Sequence, residues 1–124
     1  KKMSKEIFYN DDISSNGWRI LIYLKEKGNI QPEVKTISLM KGESKSEEFL
    51  KVNPRGQVPA WQDGSVVVLE SLAIMMYLEN KYKENPLIPQ NNEDYGVFLT
   101  RYFQYVAKMD NTSIFGSVAF GKKN

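Results

Sequence analysis

The stretch Asn53-Pro54-Arg55-Gly56-Gln57-Val58-Pro59-Ala60-Trp61 decides the fold of this 124-residue chain. Asn53-Pro54 ends a helix, because the residue before a proline is pushed out of the α region, and Gly56 permits a sharp loop. Pro59 stands immediately before a predicted strand, where proline is tolerated, and the Val58-Pro59 bond is a candidate for the cis form. A cis bond here would turn the Val58 N–H and C=O outward, free to pair with an extended peptide.

A second signal follows within a few residues of this stretch. Asp63-Gly64 is a two-residue hairpin signal, and Glu70-Ser71 opens a helix directly after a strand. The N-terminus of a helix presents unpaired N–H groups and a positive dipole, so it binds carboxylates. Two peptide-binding features this close in sequence indicate a small peptide ligand with a free carboxylate.

Hydrophobic periodicity and turn residues predict the element order β-α-β-α-β-β-α over the first 82 residues. The predicted strands are 5–10, 34–39, 59–62 and 65–69, and the predicted helices are 18–27, 47–52 and 71–82. Ser44 and Glu47 fit a capping box at the start of the second helix. Val66-Val67-Val68 is a continuous β-branched run, which predicts a strand buried on both faces.

The remainder of the chain predicts a linker and a long helix. Residues 85–90 contain two prolines and divide a first domain, 1–84, from a helical segment, 91–124. A helix is predicted at 93–110, with an apolar stripe for packing formed by Phe98, Tyr102, Tyr105, Val106 and Met109. One amphipathic helix cannot bury its own face, so we expect further residues or a partner to complete this region.

Composition excludes several classes of function. Seventeen basic and 15 acidic residues are interspersed and give a net charge of +2. This charge distribution does not indicate a nucleic-acid partner. The sequence contains no apolar run long enough to span a membrane. Cysteine and histidine are absent, which removes the thiol nucleophile, disulfides and the usual metal ligands, so no metal is expected.

The ordered string Asn-Pro-x-Gly-x-Val-Pro at 53–59, Asp-Gly at 63–64 and Glu-Ser-x-Ala-Ile-x-x-Tyr-Leu at 70–78 resembles the glutathione S-transferase amino-terminal domain. The resemblance implies an α/β fold: a thioredoxin-like βαβαββα domain followed by the beginning of an all-α domain. It further implies glutathione as co-substrate, a small electrophilic second substrate, and a homodimer or a subunit of a larger assembly. A cytoplasmic location is implied too, with an organellar assembly left open.

Ser14-Ser15-Asn16-Gly17-Trp18-Arg19 resembles the Ser-Ser-Cys-x-Trp-Arg helix start of zeta-class members. The resemblance implies that Ser14 hydrogen-bonds the glutathione sulfur and favours its thiolate, with Ser15 as its neighbour. Asn16 takes the place of the class's cysteine. Tyr9 is an alternative hydroxyl. Asp11 and Asp12 precede the serines, and nearby carboxylates would raise the pKa of the bound thiol.

The remaining glutathione contacts are also implied by the resemblance. Val58, beside Pro59, would pair with the cysteinyl backbone. Glu70 would accept from the γ-glutamyl ammonium group, and Ser71 would hold the γ-glutamyl carboxylate. Gln57 and Lys45 would face the glycine carboxylate.

Two functions remain open at the level of sequence. The first is a serine-type glutathione-dependent transferase or isomerase. The second is a non-catalytic transferase-like docking subunit of a larger assembly. The preserved Val58-Pro59 and Glu70-Ser71 favour the first, and the acidic loop before Ser14 favours the second.

Overall fold

The computed structural model of the chain describes residues 5–110. These residues fall into two compact units that divide between Asn85 and Pro86. The predicted domain boundary at residue 84 and the predicted linker at 85–90 stay predictions.

The first unit follows the predicted order β-α-β-α-β-β-α. Its elements are β1 (Glu6–Asn10), α1 (Ser15–Lys27), β2 (Glu33–Thr36), a 3-10 turn (Glu43–Lys45), α2 (Glu47–Val52), β3 (Ala60–Asp63), β4 (Val66–Leu69) and α3 (Ser71–Lys81). The second unit contains α4 (Asn92–Gln104), which continues into a π-helical segment (Tyr105–Asp110).

The four strands form one mixed sheet in the order β2-β1-β3-β4. β1 pairs in parallel with β2, and β3 is antiparallel to both β1 and β4. The parallel pair requires a crossover, which α1 supplies. The predicted Asp63-Gly64 hairpin joins β3 to β4, with Gly64 in the left-handed region at a φ of 60°.

Neighbouring residues of β1 point to opposite faces of the sheet and divide the core in two. Phe8 packs with the helices on one side, where its ring lies 5.8 Å from that of Trp61. This first cluster consists of Phe8, Ile20, Tyr23, Ile30, Trp61, Ile74 and Leu78. The second cluster, on the other side of the sheet, consists of Tyr9, Phe49, Val58 and Ala60.

Two local predictions are wrong. Among residues 5–110, β4 is an edge strand paired with β3 alone, so Val66 and Val67 are exposed instead of buried on both faces. The cap of α2 is Ser46, whose hydroxyl accepts from the Phe49 N–H at 3.2 Å. The Ser44 capping box does not form, because Ser44 lies in the 3-10 turn before the helix.

The second unit exposes most of its helix. α4 has no buried residue, and Phe103 is among the exposed apolar side chains. Aromatic rings of the predicted stripe contact one another, with 5.3 Å between the centroids of Phe98 and Tyr102. Met109 and the predicted segment 111–124 lie outside the residues whose side chains are described. Within residues 5–110 no helix is long and apolar enough to cross a bilayer.

Candidate functional site

Ser14 caps the N-terminus of α1. Its backbone is extended, and its hydroxyl oxygen accepts a hydrogen bond from the Gly17 N–H at 3.1 Å. This cap starts the helix at Ser15 rather than at Trp18. A serine hydroxyl that accepts one bond still carries its own proton to donate. Ser14 is buried and Ser15 is exposed, so the two predicted catalytic serines differ in environment.

Residues 11–14, here called the Ser14 loop, are held by hydrogen bonds from several directions. The Ser14 N–H donates to the Asp11 carbonyl at 2.9 Å. The Asp11 carboxylate accepts from the Ile13 N–H at 3.2 Å and from the Leu39 N–H at 2.7 Å. The Trp18 indole N–H donates to the Asp12 carbonyl at 2.5 Å. The Asp11 carboxylate is therefore occupied by backbone donors.

Tyr9 belongs to the second core cluster and not to the site. Its hydroxyl donates to Gln62 Oε1 at 2.8 Å, and its ring centroid lies 5.7 Å from that of Phe49. The structure thus gives Tyr9 a packing role, and the tyrosine alternative loses support.

The Val58-Pro59 bond is cis, as predicted. Val58 is buried, and the loop before it is organised by the buried side chain of Asn53. The amide of Asn53 donates to the Gln57 carbonyl at 2.8 Å and accepts from the Arg55 N–H at 3.0 Å. One asparagine therefore fixes both sides of this turn.

The predicted pair Lys45 and Gln57 are both exposed. Lys45 Nζ donates to the Arg55 carbonyl at 2.9 Å. Gly56 has a φ of 59°, and a Cβ there would lie 2.6 Å from the Ser44 carbonyl oxygen. Glycine is thus required at residue 56 both by its backbone conformation and by this close approach.

Glu70 and Ser71 stand at the beginning of α3, as predicted. Glu70 has a φ of 74°, which is unusual for a residue with a side chain, and its carboxylate lies 3.1 Å from Arg55 Nη1. Ser71 is buried, and its hydroxyl accepts from Arg19 Nη1 at 2.6 Å. Arg19 and Arg55 were missed as site residues by the sequence reasoning.

A chain of polar contacts joins the predicted site residues. It runs from α1 through Arg19 to Ser71, and from Glu70 through Arg55 to Lys45. Within residues 5–110 no group of three or more carboxylate side chains is placed to hold a metal ion. The arrangement offers a capped helix start with a hydroxyl, a second helix start flanked by a guanidinium, and a cis-proline turn directly before β3.

A family model for the "Glutathione S-transferase, N-terminal domain" matches residues 13–81. The chain belongs to the glutathione S-transferase family. The resemblance read from the Val-Pro and Glu-Ser motifs is therefore confirmed, and so is the thioredoxin-like α/β fold.

Two relatives show how far the likeness extends. Glutathione S-transferase 1 of Dianthus caryophyllus is 49% identical over 83 residues, which are 67% of this chain and 37% of that protein. A zeta-class glutathione S-transferase of Euphorbia esula is 49% identical over 76 residues, which are 61% of this chain and 33% of that protein. The chain thus spans about a third of the length of the curated relatives it matches.

Solved glutathione S-transferase structures share its fold. A glutathione S-transferase from the Antarctic clam Laternula elliptica matches with a TM-score of 0.81 and 42% identity, over 98% of this chain and 54% of that one. A glutathione transferase homologue from Drosophila mojavensis, solved with bound glutathione, matches with a TM-score of 0.80 and 31% identity, over 95% of this chain and 55% of that one.

Proposed function

We propose that this chain supplies the glutathione-binding part of a serine-type glutathione S-transferase. The observation that carries the proposal is the pair of helix starts, each of which has a buried serine hydroxyl. Ser14 stands at the start of α1 with a hydrogen to donate, and Ser71 stands at the start of α3 beside the Arg19 guanidinium. A helix start binds anions, so one start suits a thiolate and the other a carboxylate.

In this proposal glutathione lies extended along the cis-proline turn. Val58 pairs with its cysteinyl backbone, as an added strand would, and Pro59 fixes the turn. Glu70 accepts from the γ-glutamyl ammonium group, and Ser71 holds the γ-glutamyl carboxylate. Gln57 and Lys45 face the glycine carboxylate. The relative from Drosophila mojavensis with bound glutathione supports this ligand.

Ser14 is the proposed activating residue, and Ser15 its exposed neighbour. The Ser14 hydroxyl donates to the glutathione sulfur and favours the thiolate over the thiol, and the thiolate is the nucleophile. The thiolate then attacks an electrophilic carbon of a small molecule, and the C–S bond that forms replaces the bond to a leaving group, which departs with its electron pair. The whole protein is proposed to act in the cytoplasm as a homodimer.

The binding half of the proposal is tested by calorimetry on wild type and Ser71→Ala. A charge-assisted hydrogen bond is worth about 1.5–3 kcal/mol, so Ser71→Ala should weaken glutathione binding by about tenfold or more. Ser65→Ala, in the β3–β4 hairpin, is the matched serine control and should bind as wild type. Equal affinities for wild type and Ser71→Ala would exclude the assigned contact.

The catalytic half is tested with Ser14→Ala. Loss of the hydroxyl should raise the pKa of the bound glutathione thiol and reduce turnover of a chlorodinitrobenzene, while binding stays nearly intact, since the lost bond acts on the activated state. Ultraviolet titration of the thiolate measures the pKa, and Ser65→Ala is again the control. Wild type that binds glutathione without lowering its thiol pKa or turning over would instead fit the docking-subunit function.

A further inference from the structure

We propose that Asp11 is a positioning residue, which holds the Ser14 loop in its working geometry by tying it to the backbone of Leu39. The proposal rests on the proposed function of Ser14. The sequence alone suggests that the Asp11 carboxylate opposes thiolate formation. In this proposal the same carboxylate instead helps to position the Ser14 hydroxyl.

The first observation is that Asp11 forms hydrogen bonds both within the Ser14 loop and to a residue outside it. Inside the loop, its carbonyl accepts from the Ser14 N–H at 2.9 Å and its Oδ1 accepts from the Ile13 N–H at 3.2 Å. Outward, its Oδ2 accepts from the Leu39 N–H at 2.7 Å. Bonds from N–H groups to a carboxylate are stronger than those between neutral groups.

The second observation is that the outer anchor packs against the core while the middle of the loop is exposed. Leu39 packs against the second core cluster. Asp12 and Ile13 are exposed, with 53% of Ile13 accessible. In the part of the chain from residue 5 to residue 110, the bond to Leu39 is the hydrogen bond that joins the Ser14 loop to a segment other than α1. Loss of this bond would leave the loop attached through its own turn and through α1.

The third observation is that Leu39 leads directly into the turn that carries Lys45. The Leu39 carbonyl accepts from the Gly42 N–H at 3.1 Å, and Lys45 Nζ reaches the Arg55 carbonyl. Through Leu39, Asp11 therefore connects the Ser14 loop to the series of polar contacts that runs from α1 through Ser71 and Arg55 to Lys45. A hydroxyl must stand within hydrogen-bond reach of its target and in line with it, so the position of this loop sets how well Ser14 acts.

Two roles for Asp11 predict effects of opposite sign. If its charge repelled the thiolate, its removal would lower the pKa of the bound thiol. If it positions Ser14, its removal raises that pKa. Asp12→Asn isolates the effect of charge, because it removes the same charge one residue away, and the Asp12 carboxylate forms no hydrogen bond within residues 5–110.

The experiment compares Asp11→Ala, Asp11→Asn and Asp12→Asn with wild type in the full-length chain. Amide hydrogen exchange without glutathione should quicken at Ser14 and Leu39 by about tenfold in Asp11→Ala. The thiol pKa of bound glutathione should rise by about one unit. With a chlorodinitrobenzene, kcat should fall about tenfold while KM for glutathione stays within about twofold. Asp11→Asn should recover part of each change, since its carbonyl oxygen still accepts from Leu39.

The outcomes separate this proposal from the proposed function. A wild type that does not bind glutathione removes the proposed function, and the positioning role with it. A wild type that binds and activates glutathione, beside an Asp11→Ala variant with unchanged exchange at Ser14, overturns the role of Asp11 alone. A lowered thiol pKa in both Asp11→Ala and Asp12→Asn assigns the effect to charge and also overturns it.

Discussion

At the scale of single residues, Gly17 at the beginning of α1 lies against the side chain of Asn10, the last residue of β1. A Cβ at this residue would lie 1.8 Å from Asn10 Oδ1 and 2.6 Å from Asn10 Cγ. Asn10 is buried, and its side-chain oxygen has no hydrogen-bond partner in the described part of the chain. The side chain of Asn10 thus takes the volume that any larger residue at 17 would need.

We predict that Gly17→Ala destabilises the first unit by about 1–2 kcal/mol, because the strain of moving Asn10 exceeds the backbone entropy that alanine saves. Denaturant unfolding measures the difference. Gly96→Ala is the matched control, since Gly96 lies inside α4 and a Cβ there meets nothing within 4 Å. It should be neutral or stabilising by up to about 1 kcal/mol. Equal effects at the two glycines would contradict the packing argument.

Tyr82 carries a pH-dependent contribution to stability. Its hydroxyl donates to Glu6, and burial, followed by this hydrogen bond and the charge of Glu6, raises its pKa to about 12. The unfolded chain releases this proton near the ordinary pKa of 10.0. The stabilisation from neutral Tyr82 is therefore complete below pH 10 and is lost as the pH rises towards 12.

We predict that the free energy of unfolding of wild type falls more steeply between pH 10 and about pH 12 than that of Tyr82→Phe. Denaturant unfolding at several alkaline pH values measures both slopes. The difference between the two proteins isolates Tyr82, because Tyr77, whose pKa is also raised by its bond to Asp63, is present in each. Parallel slopes would show that the Tyr82 pKa is not raised in the folded state.

The residues of the site differ in how far sequence could identify them. Val58-Pro59 and Glu70-Ser71 are short motifs whose backbone consequences are local, so both were predictable. Arg19 meets Ser71, and Asp11 meets Leu39, only after the sheet has formed, across 52 and 28 residues of chain. Neither pairing leaves a local pattern in the sequence. Arg19 is assigned to the candidate site by its hydrogen bond to Ser71 in the structure.

At the scale of elements, turn residues predicted the hairpin and the end of α1 better than the start of α1. The Asp63-Gly64 hairpin and the end of α1 at Lys27 are local and appear as predicted, and Gly28 follows the helix at a φ of 80°. The start of α1 was missed because Ser14 acts as a cap within a polar segment that resembles a loop. The exposure of β4 was missed because a valine run does not tell whether a second strand covers its outer edge.

α1 and α3 are joined by a buried ion pair. Lys27 Nζ lies 3.0 Å from Glu79 Oε1, with side-chain exposures of 0% and 4%. The Tyr23 hydroxyl donates to the same carboxylate oxygen at 2.6 Å, and Lys27 also donates to the Asn85 carbonyl at 3.1 Å. Two helices and the end of the first unit therefore meet at this ion pair.

We predict that Lys27→Met and Glu79→Gln each destabilise the first unit by about 3–5 kcal/mol, because each removes the opposite charge beside a buried charged group. The double variant should lose less than the sum, since it removes both charges and keeps an acceptor for Tyr23. Denaturant unfolding of all four proteins gives the coupling energy.

The control for this cycle is the exposed pair Glu47 and Lys51, whose side chains are 91% and 74% accessible. Glu47→Gln should change the unfolding free energy by about 0.5 kcal/mol or less. Additive losses at Lys27 and Glu79 would contradict the ion-pair interpretation.

At the scale of the whole molecule, the two units differ in what holds them together. Both core clusters consist of residues that precede Asn85, and so do all the proposed glutathione contacts, from Ser14 to Ser71. α4, by contrast, buries none of its residues. The order of the first unit thus comes from its own sheet and its three helices, and residues after Pro86 supply none of the core clusters described for it.

We predict that a polypeptide of residues 1–85 folds alone and binds glutathione within about threefold of the 124-residue chain, a difference below about 1 kcal/mol. The physical reason is that its buried residues and its proposed ligand contacts are all internal to it. Circular dichroism should show a cooperative thermal transition, and calorimetry should show binding that Ser71→Ala weakens. A polypeptide of residues 86–110 is the counterpart and should show no cooperative transition, because a single exposed helix is marginal in water. A fragment 1–85 that melts cooperatively but does not bind would mean that residues beyond Asn85 complete the ligand site, whereas a fragment without a cooperative transition would mean that they complete the fold.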